Sequence, residues 1–516
     1  MGTDAAQRDM KACAPLHGGD AIAPGVLTRW GRLFCPTCPA GNIPLSLDGG
    51  TWLVGGCGHR FPIREDIPVL VPEESSRWGE AGSDDAPEQR RTPPLDLCVV
   101  IPALREAQNI ALLLPELLAV LEDLHATHEV VIVTGPSDPD TVRVAAPYGP
   151  RVKVVVQSGR GYGDAVRQGM EVAEASFIVT MDADLSHRPT FLSEMWAKRQ
   201  EAELVIASRY IRDGKATMPL TRKLLSRWLN GVFRRGLGLS VRDMSSGYRL
   251  MRADAVQRLE LRARDFDLVQ EMLVKAYCQG WRIAEVPFHY APRRHGSSRA
   301  DVWAFGVAYL RTFWSLWKLR NSISSADYDD RAYDSVVPLQ RYWQRTRYRH
   351  ITSLIRNRGA VLDVGCGSSR IIGALPPGSV AVDIVLAKLR HARRFGVPLA
   401  TASGFKLPYA DAAFPCVLSS EVIEHVPKDS PMLDELCRVV LPGGRLVLGT
   451  PDYDSRLWCI LEAIYARVAP GGYADEHIAH YTKRELSETM RRRGFVLEES
   501  RSILGAEIIL AFRRER

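Results

Sequence analysis

The chain has 516 residues, 46% of them hydrophobic, and a net charge of +7. That length allows two to four domains with sizeable cores, and ten cysteines scattered without a framework spacing exclude a disulfide-built scaffold. No apolar run reaches the roughly 20 residues that span a bilayer, and Met1 to Lys11 is polar and acidic rather than signal-like. A cytoplasmic protein, peripheral at the inner face of the membrane, is therefore expected, with no nucleic-acid partner. The positive charge is clustered: Arg209 to Arg252 holds eleven Lys and Arg against two Asp. Such a patch suits phosphate-bearing ligands or an anionic membrane surface.

In chain order, the first feature is Cys35-Pro36-Thr37-Cys38, a turn able to offer two thiolates to one ion. Cys57 and His59 follow in a glycine-rich second turn, and three thiolates with the His59 imidazole would complete a tetrahedral zinc shell. Cys13 and His17 are other candidates for the fourth place. The stretch Phe61 to Leu70 resembles the tail of small zinc ribbons of the Trm112-like type, although Val54 stands where their third cysteine is expected. The resemblance implies a zinc-ribbon module over residues 27–75 that docks or stabilises. Residues 76–94, poor in large apolar side chains, read as a linker.

Leu97 to Pro102 is a continuous apolar strand, and a loop carrying Glu106 leads to an apolar-periodic helix ending at Leu124. Strands at Glu129 to Val133 and Val152 to Val156, a glycine turn at Gly159 to Gly163, a helix and a strand at Phe177 to Thr180 follow. This alternation predicts a parallel α/β sheet with ligands at the carboxyl ends of its strands. The last of these strands runs into Met181-Asp182-Ala183-Asp184-Leu185-Ser186-His187. Two carboxylates one residue apart at a strand end can converge on one divalent cation, which can bridge a nucleotide-sugar diphosphate.

With Gly161-Tyr162-Gly163-Asp164-Ala165, Ala207-Ser208-Arg209-Tyr210, Ser245-Ser246-Gly247-Tyr248-Arg249, Gln270-Glu271 and Arg293 to Arg299, residues 95–322 resemble family 2 glycosyltransferases of the dolichol-phosphate mannosyltransferase type. The resemblance implies a GT-A fold and inverting transfer from a GDP- or UDP-sugar to a lipid phosphate. Asp182 and Asp184 would hold Mg²⁺ or Mn²⁺, with Ser186 as a further ligand. Pro102, Glu106, Asp164 and Asp182 would lie at the nucleotide-sugar, and Arg209, Arg227 and Arg293 would receive phosphates. An ionised lipid phosphate needs little base help, whereas a hydroxyl acceptor needs a carboxylate, for which Glu271 and more weakly Asp267 are candidates. The family's Asp-Asp pair after the second strand is replaced by Thr134 to Asp138, leaving Asp138 or Asp140 to contact the base. Val302 to Leu319, rich in aromatics, fits a helix in the membrane interface, or alternatively a core helix.

Residues 323–344 read as a second polar link. Beyond it, Val361-Leu362-Asp363-Val364-Gly365-Cys366-Gly367 is an apolar strand entering a glycine turn, with Asp383 twenty residues after Asp363. An acid there can take both ribose hydroxyls while the glycines let the backbone approach a ligand. With Leu407 to Asp411, Ser420 to Val426 and Leu441 to Leu448, residues 345–516 resemble class I S-adenosylmethionine-dependent methyltransferases, of the branch that includes ubiquinone-biosynthesis enzymes. The resemblance implies a Rossmann-like fold in which Asp363 and Gly365 border the methionine end, Asp383 the ribose and Leu407 the adenine, with Gly367 also at the cofactor. Ser403 and Pro415 stand where acidic residues are usual. Glu424, His425, His477 and His480 are candidate acids or bases for the acceptor. The whole reads as a bifunctional enzyme of glycolipid or cell-envelope glycan assembly. The alternatives are an active methyltransferase on a non-catalytic glycosyltransferase-like platform, or glycosyl transfer to a hydroxyl.

Overall fold

Four short strands open the chain: β1 Leu45–Asp48, β2 Trp52–Gly55, β3 Arg60–Arg64 and β4 Ile67–Leu70, joined as an antiparallel meander. They belong to a computed structural model that describes residues 29–38, 43–71, 95–218, 220–291, 302–468 and 477–516. Two compact units result, one from residues 1–86 with 322–516 and one from 87–321. No helix among the described residues is long and apolar enough to cross a membrane.

The 87–321 unit follows the predicted alternation. Its elements are β5 Leu95–Pro102, α1 Ala107–Asp123, β6 His128–Thr134, α2 Pro139–Ala145, β7 Val152–Val156, α3 Tyr162–Glu171, β8 Ala175–Thr180, α4 Leu192–Ala197 and β9 Leu204–Ser208. There follow β10 Lys215–Ala216, α5 Leu220–Leu237, β11 Arg249–Arg252, α6 Ala253–Val256, α7 Leu268–Cys278, β12 Ile283–Pro287, β13 His289–Tyr290 and α8 Val302–Arg320. The main sheet runs β12-β9-β11-β8-β5-β6-β7, parallel except for β11. Alternate residues of β5 enter opposite cores, Cys98 and Val100 on one face and Leu97, Val99 and Ile101 on the other, as a sheet covered on both sides requires. Antiparallel β11 brings the loop before it, Ser245 to Tyr248, beside the end of β8. Helix α8 is two-faced over its described side chains: Phe313 and Leu316 join the core while Trp314 and Trp317 are exposed.

In the other unit come α9 Tyr328–Tyr333, α10 Pro338–Ile355, β14 Val361–Val364, β15 Val380–Asp383, α11 Leu386–Ala392, β16 Leu399–Ala402, β17 Phe414–Ser420 and α12 Met432–Val439. The chain closes with β18 Val440–Pro451, α13 Arg456–Val468, α14 Lys483–Arg492, β19 Phe495–Ile503 and β20 Glu507–Arg514. Parallel pairing orders β16-β15-β14-β17-β18, and β20 and β19 add an antiparallel edge. The ribbon is not a detached module, because β4 pairs parallel with β16, Thr401 opposite Val69 and Ala402 opposite Leu70. Trp30, Leu33, Leu45, Leu53 and Leu70 share one apolar cluster with Leu362, Leu407 and Phe512. The stretch 323–344, read as a link, is also folded. Its acidic side chains find cations from distant sequence: Lys388 3.2 Å from Asp329, and Arg370 and Arg394 on Asp330.

Candidate active sites at the strand ends

Asp182 and Asp184 leave the carboxyl end of β8 in a turn that Leu185 closes with φ +63°. Asp184 is buried and its carboxylate accepts the Ser186 N–H at 3.0 Å. Ser186 is fully buried and its hydroxyl has no hydrogen-bond partner among the described residues. Asp182 is half-buried; its carboxylate accepts the Tyr162 hydroxyl at 3.2 Å, and its backbone N–H donates to His187 Nδ1 at 2.9 Å. His187 stacks on Tyr248, with ring centres 5.1 Å apart. Two carboxylates and an orphaned hydroxyl are hard oxygen donors, a set that fits Mg²⁺ or Mn²⁺.

The other expected residues divide. Pro102 ends β5 at the same sheet edge, and Glu106 begins α1 with its carboxylate taken by Asn109 at 2.5 Å. Asp164 pairs with Arg167 and accepts the Arg160 N–H at 3.0 Å, and Asp164 and Arg167 both line a cavity of about 110 Å³ with Ser158, Gly159 and Gln168. That cavity contains neither Asp182 nor Asp184. Arg227 is exposed on α5, and Arg293 lies outside the described residues.

Other expected residues already have partners within the protein. Arg209 does not present an open fork: Nε and Nη2 each lie 2.7 Å from Asp243, and Nη2 also reaches Ser245 Oγ at 2.7 Å. Burial opposes the Asp243 charge, yet this guanidinium holds its carboxyl below the usual range. Glu271 is fully engaged. Its carboxylate accepts the N–H groups of Arg262 and Ala263, at 2.9 and 2.8 Å, and pairs with Lys275 at 2.9 Å. Asp267 accepts from Thr312 Oγ1 at 2.7 Å. Asp138 caps α2 and takes donors from Thr134, Thr141 and the Arg105 N–H, while Asp140 pairs with Arg143 on the surface. Sequence reasoning overlooked Arg249, fully buried and spending its guanidinium on the carbonyls of Met244, Ser246 and Val269. Burial pushes it down to about 10, and it pins the loop beside Asp182.

In the second unit Asp363 is the penultimate residue of β14, and the turn after the strand needs glycine twice. Gly365 has φ +73° and a Cβ there would lie 2.3 Å from Val422; Gly367 has φ +55° and would meet Asp329 at 2.5 Å. Asp383 accepts the N–H groups of Gly367 and Val385, at 2.7 and 2.8 Å. Burial, and then the Asp383 charge, push Asp363 up to about 8. Asp329 of α9, unforeseen in the sequence, accepts from Ser368 N and Oγ at 3.0 and 3.2 Å. Leu407 is buried, its N–H held by Glu435 at 2.7 Å. A strand-end glycine turn with a buried acid on the next strand is a cradle that fits S-adenosylmethionine.

Beside that cradle, Glu424, His425 and His477 bring donor atoms within 4.8 Å of one another. Glu424 is fully buried and burial pushes it up to about 8. His477 Nδ1 lies 3.0 Å from Glu462 and 2.9 Å from the Tyr453 hydroxyl, and Tyr453 stacks on His480 at 4.0 Å. In the ribbon, Cys35, Cys57 and His59 also lie within 4.8 Å of one another; Cys38 is buried but outside that set.

Residues 98–260 match the description Glycosyl transferase family 2, and residues 362–448 match Methyltransferase domain. The undecaprenyl-phosphate mannosyltransferase of Micrococcus luteus is 31% identical over 231 residues, covering 42% of this chain and 93% of that protein. The dolichol-phosphate mannosyltransferase of Pyrococcus furiosus is 29% identical over 236 residues, covering 44% of this chain and 66% of its own length. A solved SAM-dependent methyltransferase of Thermotoga maritima, described as a possible histamine N-methyltransferase, is 21% identical over 36% of this chain and 99% of that one, with a TM-score of 0.29.

Proposed function

Since the chain belongs to glycosyl transferase family 2 and carries a methyltransferase domain behind it, we propose a bifunctional transferase of glycolipid or cell-envelope glycan assembly. Its first unit passes a sugar from a GDP-mannose or UDP-sugar donor to a polyprenyl-phosphate acceptor with inversion. Its second unit methylates that product or a pathway partner from S-adenosylmethionine. The observation that carries the first half is the pair Asp182 and Asp184 at the end of β8, beside a buried Ser186 hydroxyl that is without a partner among the described residues.

These three side chains would hold Mg²⁺ or Mn²⁺, which when bound neutralises the departing diphosphate. What remains for the protein is positioning. Arg249 and the Arg209–Asp243 pair fix the loop beside the carboxylates, so that donor and acceptor meet in one geometry. The commitment of Glu271 and Asp267 to other partners disfavours a hydroxyl acceptor, which would need a base, and favours one already ionised. Helix α5 supports a lipid acceptor at a membrane surface: Leu220, Leu224, Trp228 and Val232, four residues apart, are 70, 59, 64 and 41% exposed, with Lys223 and Arg227 alongside.

In the second unit Asp363 and Asp383 orient the methyl donor, and Glu424, His425 and His477 face the acceptor. The ribbon would hold Zn²⁺ through Cys35, Cys57 and His59, with Cys38 on the same turn.

Asp184→Asn tests the assignment. The metal's share of transition-state stabilisation is several kcal/mol, so transfer from GDP-mannose or a UDP-sugar to undecaprenyl phosphate should fall at least about 100-fold. A wild-type chain with no metal-dependent turnover, alongside measurable binding of S-adenosylmethionine, would leave only the methyltransferase half.

A further inference from the structure

Asp182 is held from two sides. The Tyr162 hydroxyl donates to Oδ1 at 3.2 Å, and the His187 ring lies opposite, with Nε2 3.6 Å from Oδ2 and Nδ1 accepting the Asp182 N–H. Tyr162 is itself aimed. Its ring stacks on Phe266 with centres 4.3 Å apart and planes at 16°. The segment leading to Phe266 is the one Glu271 clamps, through the N–H groups of Arg262 and Ala263. The same segment docks the start of α3, since the Arg264 carbonyl accepts the Gly163 N–H at 2.7 Å. Room for the Tyr162 hydroxyl exists because residue 247 is glycine; a Cβ there would sit 2.8 Å from the phenol oxygen.

A carboxylate restrained by a donor on one oxygen turns a fixed face to an ion, which is how outer-shell partners tune metal sites.

We propose that Tyr162 is a positioning residue that sets the Asp182 carboxylate for the divalent cation of the donor diphosphate, and that Glu271 and Phe266 act on the same carboxylate through Tyr162. This rests on the reading of Asp182 and Asp184 as metal ligands. It gives Glu271 a role in the transfer site without proton transfer.

The test uses the full chain, with Mn²⁺ followed by electron paramagnetic resonance, alone and with GDP or UDP. Tyr162→Phe keeps the ring and its stack and removes one hydroxyl. Mn²⁺ affinity should fall about 10- to 100-fold, while the melting midpoint without metal stays that of wild type. Phe266→Ala, at a position 41% exposed, should weaken Mn²⁺ in the same direction with the hydroxyl still present. Unchanged affinity in Tyr162→Phe beside a binding wild type overturns this proposal and leaves the metal reading intact. Unchanged affinity in Phe266→Ala overturns the limb that runs through Glu271. A wild type that takes up no Mn²⁺ overturns both the metal reading and this inference.

Discussion

Asp363 keeps its proton at neutral pH, and a cationic methyl donor would have to displace it. Burial, with the Asp383 charge behind it, lifts this carboxyl from 3.8 to about 8. Between those values the unfolded chain gives the proton up and the folded chain retains it, so this group costs stability as pH rises and adds no further cost above 8. Binding a ligand whose methionine end is positive favours the ionised form. Affinity for S-adenosylmethionine should therefore rise from pH 6 to pH 8, by up to about tenfold per pH unit, and then level off. Calorimetry in buffers of different ionisation enthalpy reads the released proton directly, and Asp363→Asn should abolish both the release and the slope. At this scale the sequence was partly legible. The placement of Asp182, Asp184, Gly365 and Asp383 at the ends of β8, β14 and β15 was readable from the apolar runs that precede them. The partners of Arg209 and Glu271, namely Asp243 and the N–H groups of Arg262 and Ala263, were not readable because they are chosen by tertiary contact.

At the scale of elements, α5 gives the sharpest expectation. An apolar side chain removed from water is worth roughly 1.5–3 kcal/mol, so Leu224→Glu or Trp228→Glu should weaken association with phosphatidylglycerol vesicles by about tenfold or more. Both side chains are more than half exposed, so the melting midpoint should hardly move. Co-sedimentation of the full chain reads the first effect and a thermal scan the second. Equal binding of the variants would remove this helix from the membrane side. The basic stretch was evident from composition, but its apolar stripe at four-residue spacing was not singled out in a run dominated by arginine. Helix α9 was missed for the opposite reason: Tyr328 to Asp334 is acidic and polar, and partners such as Lys388, Arg370 and Arg394, tens of residues away, make burying it worthwhile.

For the whole molecule, the alternation of strands and helices gave away both α/β sheets, whereas the β4–β16 pairing was invisible because it joins stretches that no local pattern relates. The glycosyltransferase unit lies in sequence between two parts of one folded body. Excising residues 87–321 with a flexible joint should therefore leave a chain that binds S-adenosylmethionine with near wild-type affinity. Removing residues 1–86 instead strips β16 of its neighbour and uncovers Leu407 and other members of the shared core, so the remainder should melt several degrees lower or aggregate. Calorimetry and light scattering on the two deletions test this, and a ribbon-less chain as stable as the parent would refute it.

That pairing has a cost in time. A ribosome that has just made Leu70 must add about 330 more residues before Ala402 emerges, which at roughly 5–20 residues per second takes on the order of 20–60 s. Throughout that wait the edge of β4 stays uncovered while an entire sugar-transfer domain is made and folds beside it. A nascent chain of this architecture should lean on chaperones during synthesis more than either transferase would alone.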